Sequence, residues 1–201
     1  MIDLSKIKQI NKKIIYAVVV FIIIFELVWA WQTLQKSKVV LVGNTASVPV
    51  QTEPAVISLI SPKTDLEVGE KITVAINITS SKLTDGADII IFYDPKVLTV
   101  MPDAQSGKPV TLGTLYVEYP LNSVDEKNGR IAVSGLASAQ AGVIPKGIFG
   151  SIVFQVKVVG PTKVSLDFTP GSTIDCNVIE TKTARDLLSL VNNLELNVMK
   201  N

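Results

Sequence analysis

Residues 71–79 read Lys-Ile-Thr-Val-Ala-Ile-Asn-Ile-Thr. Ile72, Val74, Ile76 and Ile78 fall at every second position, with polar or small residues between them. Side chains of an extended chain alternate between two faces, so these four share one face, and the segment predicts a half-buried antiparallel strand. Residues 151–158 repeat the logic with Ile152, Phe154, Val156 and Val158 inward, and residues 162–168 with Val164, Leu166 and Phe168. Between those two strands Gly160 permits positive φ and Pro161 removes a ladder donor, which predicts a turn. Further strands are predicted at 56–60, 87–93, 115–119, 130–136, 187–191 and 194–198. Short strands at such spacing are the mark of an all-β sandwich. Residues 183–191 also admit a short helix, because Leu187, Leu188 and Val191 fit helical spacing, and that alternative stays open.

Toward the N-terminus the pattern changes. Residues 14–31 form a nearly unbroken apolar run, which predicts a single transmembrane helix over 14–34. Lys6, Lys8, Lys12 and Lys13 precede it and only Lys36 and Lys38 follow closely, so residues 1–13 are expected in the cytoplasm and the C-terminal region outside it. Tyr16, Trp29 and Trp31 flank the run as interfacial aromatics do. A cleaved signal peptide would need a shorter apolar core and a small-x-small site, and no lipoprotein cysteine follows. Glu26 interrupts the run. An ionisable group in a span is by default a functional hypothesis, but Glu26 lies about one turn from Trp29, near enough to the interface to reach water. Residues 35–53 read as a linker and 54–201 as the exported domain.

Composition narrows the function. The chain has 201 residues, a formal net charge of +1, no histidine and one cysteine, Cys176. Beyond the anchor this leaves about one ordinary domain, with no basic footprint for nucleic acid. One cysteine excludes an intramolecular disulfide, so packing must stabilise the domain, with Cys176 as a small strand residue. The lack of histidine removes Ser-His-Asp and Cys-His hydrolases, histidine-ligated zinc and most general-base schemes. The chain is read as non-catalytic. Asp85, Asp88 and Asp94 are close in sequence, but no Asp-x-Asp-x-Asp-Gly loop accompanies them, and neither metal nor cofactor is expected.

Three segments then carry a resemblance. Val68-Gly69-Glu70-Lys71 leads into the 72–78 strand. Residues 85–98 run Asp-Gly-Ala-Asp-Ile-Ile-Ile-Phe-Tyr-Asp-Pro-Lys-Val-Leu. Residues 146–154 run Lys-Gly-Ile-Phe-Gly-Ser-Ile-Val-Phe. In order and spacing they resemble the cohesin family, over nearly all of the exported domain. The resemblance implies a jelly-roll β-sandwich of about nine strands. It also implies a non-catalytic module that binds dockerin domains through one sheet face. Asp88 matches the aspartate of the family's Asn-x-Asp pair, whereas Gly86 stands where the asparagine would be. Ile131, Val133 and Ala137 fit the later strand, while Gly135 and Ser138 replace a larger apolar residue and a glutamate. The candidate partner-binding residues are Asp88, Val133 and Ser138.

Two other functions compete. Polysaccharide or cell-wall binding would need exposed planar aromatics, for which Tyr116 and Tyr119 are the candidates. A structural subunit of an envelope or pilus-like complex would instead give Glu26 a role in assembly.

Overall fold

The computed structural model describes Glu26 and residues 55–200. The chain divides into two compact units, Met1–Val50 and Gln51–Asn201. Of the first, only Glu26 is described, an exposed helical residue. An apolar run identifies a span only as a helix of about 20 residues, and among the described residues no helix is long and apolar enough to cross a membrane. The anchor expected over 14–34, with its cytoplasmic segment 1–13 and linker 35–53, lies outside the described residues apart from Glu26. The membrane anchor and the single-pass topology are therefore not retained.

The described domain contains thirteen strands. In chain order these are β1 (Ala55–Ile60), β2 (Asp65–Glu67), β3 (Lys71–Thr79), β4 (Thr84–Phe92), β5 (Leu98–Met101), β6 (Thr111–Leu112) and β7 (Glu118–Asp125). They continue with β8 (Arg130–Leu136), β9 (Lys146–Val156), β10 (Gly160–Leu166), β11 (Asn177–Glu180), β12 (Leu188–Asn192) and β13 (Leu194–Met199). One sheet has the order β12-β1-β3-β9-β5, with β6 also on β9. The other runs β2-β13-β10-β4-β8-β7, with β11 also on β4. Both are mixed, since β1 pairs with β12 and β2 with β13 in parallel.

The alternating stretch behaves as its pattern dictates. In β3, Ile72, Val74, Ile76 and Ile78 are all buried, and the strand is flanked by β1 and β9 in antiparallel register. Ile152, Phe154 and Val156 of β9 face the same core, which Ile89, Ile91, Ile131, Val164 and Leu196 close from the other sheet. Each such side chain contributes about 1.5–3 kcal/mol relative to exposure.

Three expectations need correction. The count of about nine strands is too low, because β2, β5, β6 and β11 have only two to four residues each, too few to display alternation. Val158 is exposed rather than inward, since β9 ends at Val156. The strand expected at 115–119 starts instead at Glu118 and continues to Asp125. Its register shifts between Glu118 and Leu121, where Pro120 sits, as proline does in an edge strand with a bulge. Of the two readings open for 183–191, the strand is the one formed, over Leu188–Asn192, where it pairs with β1.

Cys176 lies one residue before β11 rather than within a strand. Strand β4 pairs with β10 at Ile91 and Phe92 and with β11 from Asp88 backward, which leaves Ile90 between the two partners. The Cys176 thiol fills that gap: Sγ accepts the Ile90 N–H at 3.1 Å and donates to the Ile90 carbonyl at 3.2 Å. A side chain thus substitutes for a ladder residue. Cys176→Ala leaves the Ile90 N–H unpaired in the sheet interior and is expected to cost about 1–3 kcal/mol. Cys176→Ser, which keeps an acceptor, is expected to cost less. Denaturant midpoints of the two variants check this, and equal stability of Cys176→Ala and the parent chain would refute the role.

Candidate functional site

The outer face of β4, β8 and β7 follows from residue parity. Ala87, Ile89 and Ile91 of β4 point into the core, so Asp88, Ile90 and Phe92 point outward. In β8 the inward set is Ile131, Val133 and Gly135, leaving Arg130, Ala132, Ser134 and Leu136 outside. Register then aligns the outward residues into rows. Asn177 of β11, Asp88, Ser134 and Leu121 of β7 form one row across four strands. Ile90, Ala132 and Ser123 form the next, and Phe92, Arg130 and Asp125 the third.

Ala132 and Ser134 are too short to fill the middle of these rows. A concavity of ≈ 160 Å³ results, floored by Ala132 and bordered by Asp88, Leu121, Arg130 and the 173–177 segment. The Ser134 hydroxyl donates to Oδ1 of Asp88, which fixes the carboxylate over the sheet. Around this polar centre Phe92, Leu121 and Leu136 are exposed, and Ile174 is 88% exposed.

The structure places the expected residues unequally. Asp88 lies at the centre of the face. Val133 is 1% exposed and belongs to the core, so it acts on the face only from beneath. Ser138 lies in the turn after β8, its hydroxyl donating to the Ala141 carbonyl at 3.3 Å. Tyr116 is buried, its hydroxyl 2.9 Å from Thr84 Oγ1. Because the Thr84 hydroxyl donates to the Val143 carbonyl, Tyr116 is the donor in that pair. Tyr119 is half-buried and donates to the carbonyls of Gly113 and Phe149. Both rings pack edge-on against Phe149. Neither offers a sugar platform. The three aspartates close in sequence have separate duties, Asp85 accepting from Thr181 and Asp94 from the Lys96 amide, while Asp88 takes Ser134.

Sequence reasoning passed over Ser134, Ile90, Leu121 and the residues around Ile174. The parity of 130–136 contains the signal for Ser134: once Ile131 is inward, Val133 must be inward and Ser134 outward. The contribution of β11 carries no such signal, because Asn177 reaches Asp88 only through long-range pairing.

Packing also explains the departures at Gly86 and Gly135. A Cβ on Gly135 would stand 2.7 Å from the Phe149 ring and 2.9 Å from that of Tyr116. A Cβ on Gly86 would stand 2.8 Å from the Gly135 carbonyl oxygen. Two aromatic rings thus occupy the space a larger residue at 135 would need. Gly135→Leu is expected to lower stability by at least about 1–3 kcal/mol through overpacking, measured by chemical denaturation. An unchanged midpoint would show that the rings yield freely.

Burial pushes the Tyr116 hydroxyl up to about 12 and the Cys176 thiol up to about 12. Their ordinary values are 10.0 and 9.0, so both protonated forms are favoured by folding. The associated stability is fully present below those ordinary values and is lost as pH rises through them toward about 12. The unfolding free energy should therefore fall at alkaline pH, less steeply in Tyr116→Phe. Denaturation series across the alkaline range, with tyrosinate absorbance followed in parallel, test this.

The sandwich thus offers a sheet face with a polar centre and an exposed apolar surround. The cohesin-domain family model matches residues 57–184, well over half of the chain, and the chain belongs to the cohesin domain family. Cohesin domains are non-catalytic, and this protein is not an enzyme. No curated protein matches the chain.

Solved structures agree on the fold. A type II cohesin domain from the cellulosome of Acetivibrio cellulolyticus is 20% identical, with a TM-score of 0.57, over 72% of this chain and 95% of its own. An interface mutant of a type II cohesin–X-dockerin complex from the same organism is 19% identical, with a TM-score of 0.57, over 72% of this chain and 99% of that one. A type I cohesin from Pseudobacteroides cellulosolvens is 19% identical, with a TM-score of 0.55, over 73% and 93%.

Proposed function

We propose that this protein is a non-catalytic binding module that takes a dockerin-type protein partner on the outer face of β4, β8 and β7. The observation that carries the reading is the row Asn177–Asp88–Ser134–Leu121, which sets an oriented carboxylate among exposed Phe92, Leu121, Leu136 and Ile174. A small set of central anchors ringed by apolar contacts is how protein interfaces concentrate their energy. Family membership supports a dockerin-type partner, as do the solved relatives, one of which is a complex with a dockerin.

Asp88 is the polar anchor and Ser138 a peripheral contact in the turn beyond β8, while Val133 supports the face from the core. The glycine at 86, whose parity is outward and which pairs with Leu136, makes this face flatter at one end than the family pattern implies. Contact must then concentrate around the concavity and Leu121.

The test is calorimetry of the full chain against a panel of type I and type II dockerin modules. For the modules that bind, Asp88→Ala is expected to weaken affinity roughly tenfold or more, Leu121→Arg to a similar degree, and Ser138→Ala less than about twofold. Both main variants alter exposed or half-exposed groups and leave the core untouched. Failure of every dockerin to bind, or binding indifferent to both substitutions, would overturn the reading.

A further inference from the structure

Behind Ile174, the wall of the concavity contains two buried polar side chains, Asp175 and Asn177, which are 5% and 7% exposed. Each uses only part of its bonding capacity. Asp175 Oδ2 accepts the Thr169 N–H at 2.5 Å, and the Asn177 amide nitrogen donates to the Asp175 carbonyl at 3.4 Å. Asp175 Oδ1 and Asn177 Oδ1 are buried without a hydrogen-bond partner among the described residues. Both residues line the same concavity as Asp88.

The chemistry is one-sided. A buried acceptor left unpaired costs about as much as a lost hydrogen bond, and a buried carboxylate more, so such groups are retained where something else meets them. Asp175 and Asn177 are lining residues with buried, unpaired Oδ1 atoms, Asp88 adds a carboxylate, and the hydroxyl of Ser134 is already given to Asp88. Arg130 is the one cation on the lining, two residue pairs along β8 in the Phe92 row. Apart from the Asn177 amide nitrogen, one N–H of which goes to the Asp175 carbonyl, the Asp88 row offers no donor that is not already given. A ligand suited to it carries several N–H groups, a positive charge and an apolar stem that can lie along Ile174 and Leu121.

We propose that this concavity is a cation-accepting subsite that seats a lysine or arginine side chain of the bound partner, with Asp175 and Asn177 as its acceptors. The identity of the carrier rests on the dockerin reading above, whereas the preference for a cationic side chain rests on the buried oxygens themselves. An ammonium or guanidinium group is the donor with enough N–H groups to meet the oxygens together, and its charge-assisted bonds are the strong ones. Its alkyl stem would cover Ile174, whose exposure next to a buried carboxylate is otherwise unexplained.

The deciding experiment is an NMR titration of the isotope-labelled full chain with N-acetyl-lysine amide and N-acetyl-arginine amide. N-acetyl-citrulline amide, similar in shape but neutral, is the control. Cationic amides should shift the backbone resonances of 173–177 and Asp88, and citrulline should not. The shifts should vanish in Asp175→Asn, which keeps an acceptor for the Thr169 amide. They should weaken with added salt. No shift at the highest soluble concentration, equal shifts with citrulline, or shifts that persist in Asp175→Asn would each overturn the proposal. Shifts that move to Arg130 alone, which would mean that Arg130 closes onto Asp175 and fills the site itself, would overturn it too.

A second arm separates this inference from the reading it rests on. Dockerin binding lost in Leu121→Arg but unchanged in Asp175→Asn sinks the subsite and leaves the face standing. Absence of dockerin binding with Asp175-dependent shifts from the amides sinks the dockerin reading and leaves the subsite standing.

Discussion

The placement of the Phe149 ring constrains more of this molecule than any other single contact. It is fully buried in β9 and meets Tyr116 and Tyr119 edge-on at 5.8 Å and 5.3 Å between ring centroids. Edge-to-face pairs of this kind add about 0.5–1.5 kcal/mol beyond the area they bury. Their volume also dictates sequence at a distance. The ring stands where a Cβ of Gly135 would go, Gly135 in turn crowds Gly86, and the Tyr119 hydroxyl bonds back to the Phe149 carbonyl. One aromatic cluster therefore accounts for two glycines, on β4 and β8, and for the burial of Tyr116 and the half-burial of Tyr119.

A second constraint acts at the opposite edge of β4. Two strands, β10 and β11, share that edge, and the chain between them must leave the sheet and return. The Cys176 thiol bonded to Ile90 marks the point of return. The excursion lifts Ile174 into solvent while Asp175 and Asn177 fold under it. The exposed apolar residue and the buried acceptors are thus products of one local geometry. The same joint that completes the β4 ladder builds the wall of the concavity.

This division explains what was legible in the sequence. Strands with a full alternating run, such as β3 and β8, could be read almost residue for residue, because period-two burial is a local signal. The short strands β2, β5, β6 and β11 could not, since a few residues have no period and owe their conformation to partners far along the chain. Family resemblance named Asp88 as a candidate, and its placement on the outer face follows from parity. Val133 was misjudged because resemblance named a strand without deciding which of its sides faces out. Tyr116 and Tyr119 were misjudged for a related reason: an aromatic residue in an irregular segment gives no indication of whether its hydroxyl meets water or a buried carbonyl. The apolar run at 14–31 lies outside the described residues apart from Glu26.

The two constraints together limit where the proposed binding face can vary. Near Gly86 and Gly135 the face is pinned by the aromatic cluster, so side-chain variety there is limited by core packing. Around the concavity no such limit applies, because Ala132 and Ser134 leave space outward rather than inward. The row through Asp88 can therefore vary in depth and charge without disturbing the sandwich. In this chain the row carries oxygens: a carboxylate oriented by Ser134 and, buried beside it, two acceptors unpaired among the described residues. Apolar contact with Phe92, Leu121 and Leu136 would hold many partners about equally well. The part-exposed Asp88 carboxylate discriminates more sharply, since a partner that covers it without bringing a donor leaves that charge unmet.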